Sequence, residues 1–472
     1  MNRRQFAWGS AASALALRAL PACAQGALSS EARLAAYADA LTFDKLPPDV
    51  IAALKRLLID TLACAFGAVG CEPAAIAEKT FRASFGGPAV ATLIGGKAPV
   101  SAEGAALING VLVRYLDFND IYAGAAPAHP SECIPTALAC CEEASRSGRD
   151  LLTAIAVGYE TQLALVEAVP FDARGLHSLT AAGFTTPLIA GKLLGLTQAQ
   201  MANAVGISGP KQLTLLAINA GPISMMKAFG FPSGAMDGIF AARMAKGGFT
   251  GASGVLEWFL AHGGAKPSDL NLELDPAKFR LLNVGLKRFP LQFELQIIAE
   301  AGVEIRKAMK SDVSGIQNII VETTPSAKEK TADPSRYRPK TKETADHSLP
   351  LCLAMALLDG DVTVKQFDEG RWQAPDALEL ASKIRVDAIA DLPRGAGANV
   401  RVVTASGQAF EKRVDIPDGD PRRPMSPEAL TGKFMQFAAP ILGKGRADDT
   451  LDICHNLEKL EQVSSLTRLL SA

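Results

Sequence analysis

Apolar residues recur at helical spacing along most of this chain, and strand signals are nearly absent before residue 285. The stretch "PPDVIAALKRLLIDTLACAFGA" begins with proline, carries apolar residues three and four positions apart, and ends before further glycines. The stretches "GRDLLTAIAVGYETQLALVEAV" and "GFTTPLIAGKLLGLTQAQMANAVGISG" follow the same pattern. Alanine and glycine are frequent in them, which lets helix backbones approach closely. The pattern predicts an all-α domain over residues 27–285.

The pattern changes after "LKRFP" at residues 286–290. "SGIQNIIVETTP" is rich in β-branched residues, and "GANVRVVTASGQAFEKRVDIP" predicts a hairpin that turns at Ser406 and Gly407. The stretches "LPLCLAMALLDG" and "APDALELASKI" between them have helical patterns. These signals predict a smaller α+β domain over residues 286–424.

A helix-start signal follows this domain, where Ser426 precedes Pro427 and Glu428. We therefore expect residues 425–472 to be helical and to pack back on the large domain. The predicted fold class is mainly α: a large all-α domain with a smaller α+β domain inserted as a lid.

The first 26 residues have the features of an export signal. Arg3 and Arg4 form a twin arginine, a weakly apolar run follows, and small residues surround Cys23. One alternative is an ordinary apolar helix, and "LPAC" at residues 20–23 also resembles a lipoprotein cleavage site, in which proline is unusual. We expect the twin-arginine export machinery as a partner and a periplasmic mature protein, with lipoprotein anchoring at Cys23 as the less favoured variant.

Charge and cysteine content exclude several classes of function. The 48 basic residues nearly balance 49 acidic ones, so the sequence predicts no nucleic-acid partner. No other stretch has 18 uninterrupted apolar residues, which predicts a soluble mature protein. Seven cysteines remain beyond Cys23, an odd number without CxxC spacing, which disfavours a disulfide framework and a zinc site.

Five short stretches place ionisable side chains among glycine, proline and apolar residues. They hold Asp117, Asp120 and His129 in "YLDFNDIYAGAAPAHPSE", His177 in "DARGLHSLTAAG", Lys227 in "GPISMMKAFGFPSGAMDG", Lys287 and Arg288 in "LKRFP", and Tyr337 and His347 in "PSRYRPKTKETADHSLP". Each also has a simpler explanation. A histidine or an aspartate can cap a helix, and a lysine in apolar surroundings can extend its ammonium group to solvent. No single stretch is specific for a function, but the order of the five stretches along the chain is.

In this order the stretches resemble the MmgE/PrpD family, over essentially the whole chain after the signal segment. The resemblance rests on "DTLACAFGA", "LDFND…HPSE", "GLHSLTAAGF", "GKLLGLTQAQMANAVGISG", "MKAFGFPSGAMDGIFAARMAKGGFTG", "LKRFP" and "RYRP…ETADHSLPLCLAMALLDGDVT". The family includes 2-methylcitrate dehydratases, cis-aconitate decarboxylases and iminodisuccinate epimerases. The resemblance implies a large helical domain with a lid, a homodimer, an active site between the domains, and chemistry without a cofactor or metal.

The resemblance also carries the family's site onto Asp117, His129, His177, Lys227, Lys287 and Tyr337. Because the family's substrates are di- or tricarboxylates, Lys227, Lys287 and the adjacent Arg288 are predicted to neutralise substrate carboxylates. The two histidines are predicted to act as base and acid, in either order. Tyr337 is predicted to donate a hydrogen bond from the closing lid. Asp117 is predicted to orient a histidine or to bind a substrate hydroxyl.

Departures from the family pattern leave the substrate open. Asn119 stands where the decarboxylase branch has a carboxylate, Ile121 where threonine is expected, and "KAFGFPSG" replaces a pattern that contains histidine. The leading hypothesis is a cofactor-independent lyase that dehydrates or decarboxylates a small di- or tricarboxylate. The alternatives are an epimerase that removes and returns an α-proton, and a periplasmic carboxylate-binding protein without catalysis.

Overall fold

The computed structural model describes residues 28–124, 126–310, 312–392 and 396–472. The predicted export signal, with Cys23, lies outside these ranges. Within them the chain is mainly α, as predicted, with 19 α-helices and seven short strands. Its buried apolar side chains form two separate hydrophobic cores.

The first core is built by the helices that precede residue 285 together with the helices at the C-terminus. The preceding helices are α1 (Ser30–Ala40), α2 (Pro48–Gly67), α3 (Glu72–Ser84), α4 (Ala102–Tyr115), α5 (Ile134–Glu143), α6 (Gly148–Ala168), α7 (Ala182–Leu193), α8 (Gln198–Ser208), α9 (Met226–Lys246) and α10 (Val255–His262). Helices α4 and α7 both pack on α9. A Cβ at Gly238 would lie 2.0 Å from Thr186 Oγ1, so this glycine permits the close approach of α9 to α7.

Helix α6 is the single helix, among the described residues, with the length and apolar composition of a membrane span. Most of its surface is buried inside the protein. It begins with a capping box, in which Ser147 and Asp150 satisfy each other's backbone amides. Burial on all sides explains why its sequence is apolar throughout.

The second core lies between a four-stranded sheet and the helices that cover it. The helices are α11 (Gln296–Ala308), α12 (Pro325–Thr331), α13 (Lys342–Ala345), α14 (Leu349–Asp359), α15 (Val364–Asp368) and α16 (Pro375–Ser382), and the strands are β4 (Ile316–Thr323), β5 (Ile384–Ala388), β6 (Ala398–Thr404) and β7 (Ala409–Val414). The strand order is β5-β4-β6-β7, with only the β4–β5 pair parallel. The predicted hairpin is confirmed as β6 and β7.

The C-terminal helices α17 (Pro427–Leu442), α18 (Lys444–His455) and α19 (Ser464–Leu470) return to the first core. Helix α17 packs on α2, and the Ser426 hydroxyl caps it by accepting from the Ala429 amide. The Lys433 ammonium group on α17 donates to the backbone oxygens of Phe118 at 2.9 Å and Lys287 at 3.3 Å. The tail thus fixes two loops that carry candidate site residues.

A small antiparallel sheet interrupts the all-α region that the sequence predicts. Its strands are β1 (Ile121–Ala123), β2 (Pro127–Ala128) and β3 (Val284–Gly285), in the order β2-β1-β3. Strands of two or three residues are too short to produce a recognisable alternation of apolar and polar residues. The sheet holds the loop after α4 beside the loop that leads to Lys287.

Candidate active site

A cavity of about 700 Å³ opens where the two cores meet. Its wall takes Arg114, Asp117, His129 and His177 from the helical region, and Gln292, Glu294, Arg336 and His347 from the other region. A smaller cavity of about 240 Å³ lies beside it and is lined by Lys287 and the loop around Gly419. Ile121 and Phe293 line both cavities. Residues that are far apart in sequence therefore meet at two adjoining, partly open cavities.

Asp117 lies at the centre of the cluster, just after α4. Its carboxylate is 2.5 Å from Arg114 Nη1, 3.1 Å from Lys227 Nζ and 3.0 Å from Lys287 Nζ. Burial raises the pKa of this carboxyl, but the three cations outweigh burial and hold it well below its usual value. The backbone of Asp117 is left-handed, with φ +50°. A strained conformation held in a buried polar cluster is typical of functional sites.

His129 lines the cavity as a neutral imidazole with a defined tautomer. Its Nδ1 lies 2.6 Å from the backbone oxygen of Asp120, so Nδ1 carries the proton and Nε2 keeps its lone pair. Burial, followed by the charges of Arg114 and Lys287, holds the pKa of His129 well below its usual value. His129 is thus a proton acceptor at neutral pH.

His177 has the opposite tautomer. It caps the turn at residues 178–181, where its Nδ1 accepts from the Leu179 amide at 3.2 Å, so the proton lies on Nε2. The amide group of Asn219 lies 2.9 Å from this Nε2. In the orientation given, Asn219 Oδ1 is buried and has no hydrogen-bond partner among the described residues. If the Asn219 amide is turned by 180°, this oxygen accepts the hydrogen bond from His177 Nε2. Burial, with Arg114 nearby, lowers the pKa of His177 to about 4, so His177 is a neutral hydrogen-bond donor.

Lys227 joins the aspartate cluster to a third histidine, His347. Its ammonium nitrogen is 3.5 Å from His347 Nδ1 and 3.7 Å from Asp346 Oδ1. Burial lowers the pKa of Lys227 to about 8, although Asp117 opposes the shift. A lysine with this pKa is charged at neutral pH and can release its proton readily.

His347 has a central position to which the sequence analysis assigns no role. Its Nδ1 lies 2.5 Å from Asp346 Oδ1, and its Nε2 lies 3.6 Å from Asp117 Oδ2. The shorter contact places the proton on Nδ1, and burial lowers the pKa of His347 to about 4. The sequence signal that could have identified His347 is its position after Asp346 and directly before Ser348, the N-cap of α14.

Two predicted site residues do not join the cluster. The Tyr337 hydroxyl donates to the backbone oxygen of Ile384 at 3.1 Å. The Arg288 guanidinium lies over the ring of Phe289, 4.8 Å from its centre. Neither residue lines the cavity, whereas Arg336, next to Tyr337, does. Adjacent residues point in different directions on such a turn, so Tyr337 and Arg336 have different surroundings.

The departures from the family pattern have separate places in the structure. Asn119 is buried and donates to Ser131 Oγ at 2.9 Å, so it supports the loop that carries His129. Asp120 accepts from Ser131 Oγ at 2.6 Å and from the Tyr159 hydroxyl at 2.8 Å. Ile121 reaches the cavity wall and makes it apolar at that point. Of the described departures near His129, Ile121 is the one that faces the cavity.

The cluster carries more positive than negative charge. The buried Arg114, Lys227 and Lys287 and the partly buried Lys342 contact Asp117 or Asp346, which gives four cations for these two carboxylates. Glu132 lies 3.6 Å from Arg114, and burial raises its pKa to about 8; even if Glu132 is counted as charged, four cations face three carboxylates. Buried excess charge is costly unless a counter-ion compensates it. The site is therefore suited to an anionic ligand.

The same charges argue against a metal ion. Ligand atoms of Asp117, Asp346 and His347 lie within 4.8 Å of one another, a spacing that could hold a cation. Ammonium groups of Lys227, Lys287 and Lys342 already face these carboxylates. A divalent cation would have to displace them and bear their repulsion. The donor set does not fit a metal centre.

Sequence comparisons show which family the chain resembles over its two regions. The MmgE/PrpD N-terminal domain model matches residues 32–264, and the MmgE/PrpD C-terminal domain model matches residues 289–459. The chain is 29% identical to cis-aconitate decarboxylase of Homo sapiens over 89% of this chain and 90% of that protein. It is 24% identical to cis-aconitate decarboxylase of Aspergillus terreus, over 92% and 94%.

A third relative is a 2-methylcitrate dehydratase from Escherichia coli (strain K12), 23% identical over 58% of this chain and 60% of that protein. The named relatives are a dehydratase and decarboxylases, both classes of lyase. The two family models together span most of the chain. The chain therefore belongs to the MmgE/PrpD family and is a lyase.

Proposed function

We propose that this lyase acts, without a cofactor, on a small di- or tricarboxylate, eliminating either water or carbon dioxide. The excess of buried positive charge beside two neutral histidines is the observation that carries the proposal. A polycarboxylate supplies the missing negative charge. The names of the relatives, cis-aconitate decarboxylase and 2-methylcitrate dehydratase, support this substrate class.

In the dehydration branch, His129 Nε2 takes the proton from the carbon next to a substrate carboxylate, because this nitrogen has a lone pair. Negative charge then develops on that carboxylate, and the adjacent cations stabilise it. Lys227, with its pKa near 8, gives a proton to the departing hydroxyl. The C–H and C–O bonds break, a C=C bond forms, and water leaves. His177, whose Nε2–H donates to the turned Asn219 amide oxygen, lines the same cavity as a second neutral imidazole.

In the decarboxylation branch the C–C bond to one carboxylate breaks and carbon dioxide leaves. The electron pair remains on the substrate, and a proton from Lys227 is returned to carbon. The same cations stabilise the carbanion while it exists. The chain matches 90% and 94% of the length of two decarboxylase relatives, but 60% of the length of the dehydratase relative. This difference supports decarboxylation over dehydration.

A panel of citrate-like, 2-methylcitrate-like and aconitate-like acids tests the proposal. Wild-type protein is expected to release carbon dioxide or to change C=C absorbance with at least one acid, and His129→Gln is expected to lose most of that rate. His262→Gln, at an exposed histidine, is the matched control. Deuterium exchange from D₂O without net elimination would indicate an epimerase. Tight binding with no reaction or exchange would indicate a carboxylate-binding protein. Absence of binding and of reaction with every acid of the panel would refute the proposal.

We also propose a periplasmic location and a homodimer. The support is the twin arginine at Arg3 and Arg4 and the family resemblance. Replacing both arginines with lysine is expected to keep the protein in the cytoplasm, which fractionation against cytoplasmic and periplasmic markers measures. Light scattering of the mature protein tests the dimer, and a monomer mass at micromolar concentration would contradict it.

A further inference from the structure

Arg336 is a buried guanidinium in the cavity wall that has most of its donors unused. It is 2% exposed, and its Nε donates to Asp333 Oδ2 at 2.9 Å. Its Nη1 is buried and has no hydrogen-bond partner in the described part of the chain. A guanidinium offers five N–H donors in a rigid plane, so one bond leaves it largely unsatisfied. A buried group in this state is costly, which indicates that something else satisfies it.

The structure holds this guanidinium firmly. Asp333 is itself fixed, because it accepts from the Ser335 amide at 2.9 Å and from Ser335 Oγ at 2.5 Å. The backbone oxygen of Arg336 accepts from Ser348 Oγ at 2.5 Å, one residue after His347. Arg336 is therefore tied to the segment that carries His347, another residue of the cavity wall. Such rigidity suits recognition of a ligand in one orientation.

The acidic groups around Arg336 have other partners. Asp172 pairs with Lys330 at 3.3 Å, and Glu294 accepts from Gln292 at 3.0 Å and Ser326 at 3.2 Å. Glu329 is a further carboxylate of this wall, on the exposed side. None of these carboxylates is hydrogen-bonded to the free edge of Arg336 among the described residues. Arg336 lines the cavity, and an anion bound there would not compete with a carboxylate of the described residues for that edge.

We propose that Arg336 binds a second carboxylate of the substrate, at a distance from the reacting carbon, through a bidentate ion pair. The planar fork of arginine matches the two oxygens of a carboxylate, which a lysine does not. The enzyme thereby selects acids that carry a carboxylate at both ends of the molecule. This inference rests on the proposed function, because it assigns one part of the same substrate.

The test compares the best substrate with an analogue whose remote carboxylate is replaced by a primary amide. For wild-type protein, kcat/KM for the acid is expected to exceed that for the amide by about 10- to 100-fold, the effect of one charge-assisted pair. Arg336→Gln is expected to remove this preference, mainly by raising KM for the acid, while kcat/KM for the amide analogue changes little. Arg336→Lys is expected to restore only part of it. Arg338→Gln, at an exposed neighbouring arginine, is the matched control and should keep the full preference.

Three results would overturn the inference: no preference in wild-type protein, the same preference in Arg336→Gln, or an equal loss in Arg338→Gln. The wild-type comparison stands even if a variant fails to fold, which thermal melting reports. Calorimetric binding of the acid and amide separates this inference from the proposed function. If an acid binds in a way that depends on Arg336 but never reacts, the Arg336 subsite is supported. Only the proposed lyase reaction is then refuted.

Discussion

Replacing Asp117 with asparagine should destabilise the protein strongly, because this carboxylate compensates three buried cations. Its oxygens lie 2.5 to 3.1 Å from Arg114, Lys227 and Lys287. At an effective dielectric constant near 20, one pair of unit charges 3 Å apart is worth about 5 to 6 kcal/mol. The amide dipole recovers part of this energy, and asparagine costs less to desolvate. We expect a net loss of about 3 to 5 kcal/mol in the free energy of unfolding.

Urea denaturation at pH 7 measures this loss, and Asp376→Asn is the matched control. Asp376 also pairs with an arginine, Arg371, at 2.7 Å, but its side chain is 58% exposed, so the expected loss is about 0 to 1 kcal/mol. The pKa of Asp117 is lower in the folded protein than in the unfolded chain, where it is about 3.9. Its stabilisation is therefore complete above that value and is lost as pH falls below it. Equal losses in the two variants at pH 7, or a difference that grows as pH falls below 4, would refute this reasoning.

Three further predictions follow from the site and its supports. The rate constant kcat/KM should fall tenfold per pH unit above about pH 8, because the acid Lys227 loses its proton there as pH rises. Asn219→Ala should lower kcat by about tenfold, since His177 loses the partner of Nε2, and steady-state kinetics on the best substrate measures this. Lys433→Met should cost about 3 to 5 kcal/mol in urea denaturation, because it leaves Asp60 unpaired in the core.

Each of these predictions has a control and a contradicting outcome. A rate constant that is constant to pH 10 would exclude Lys227 as the acid. Asn456→Ala, at an exposed asparagine, is the control and should leave kcat unchanged. If Asn219→Ala also leaves kcat unchanged, the Asn219 amide does not hold His177. Lys444→Met removes an exposed lysine whose partner is Asp448 and should cost at most about 1 kcal/mol. A similar small cost at Lys433 would show that its ion pair is dispensable.

Periodicity and turn residues predicted the regular elements well. Helix α6, the cap of α17 at Ser426, and the β6–β7 hairpin follow from local signals that act within a few residues. The three-stranded sheet was missed because its strands have only two or three residues and because one of its two pairs joins Ile121 to Gly285, far apart in sequence. Pairing over such a separation leaves no local signature.

The candidate site was predicted in part. The sequence and its resemblance named Asp117, His129, His177, Lys227 and Lys287, which the structure brings to one cluster. Arg114 and Arg336 were not named, and His347 was named without a role, although all three line the cavity. Arg114 lies inside a regular helix, where its sequence context is indistinguishable from that of a surface arginine.

The sequence by itself determined the mainly α class, the family and the chemical types of the groups available for acid–base work. These follow from local periodicity and from ordered motifs, which need no knowledge of distances. Only the tertiary structure decided the protonation of the groups and the charge of the site. The tautomers of His129 and His177 are set by Asp120 O and the Leu179 amide. Their pKa values and the excess of positive charge depend on burial and on Coulomb forces that act through space, across residues distant along the chain.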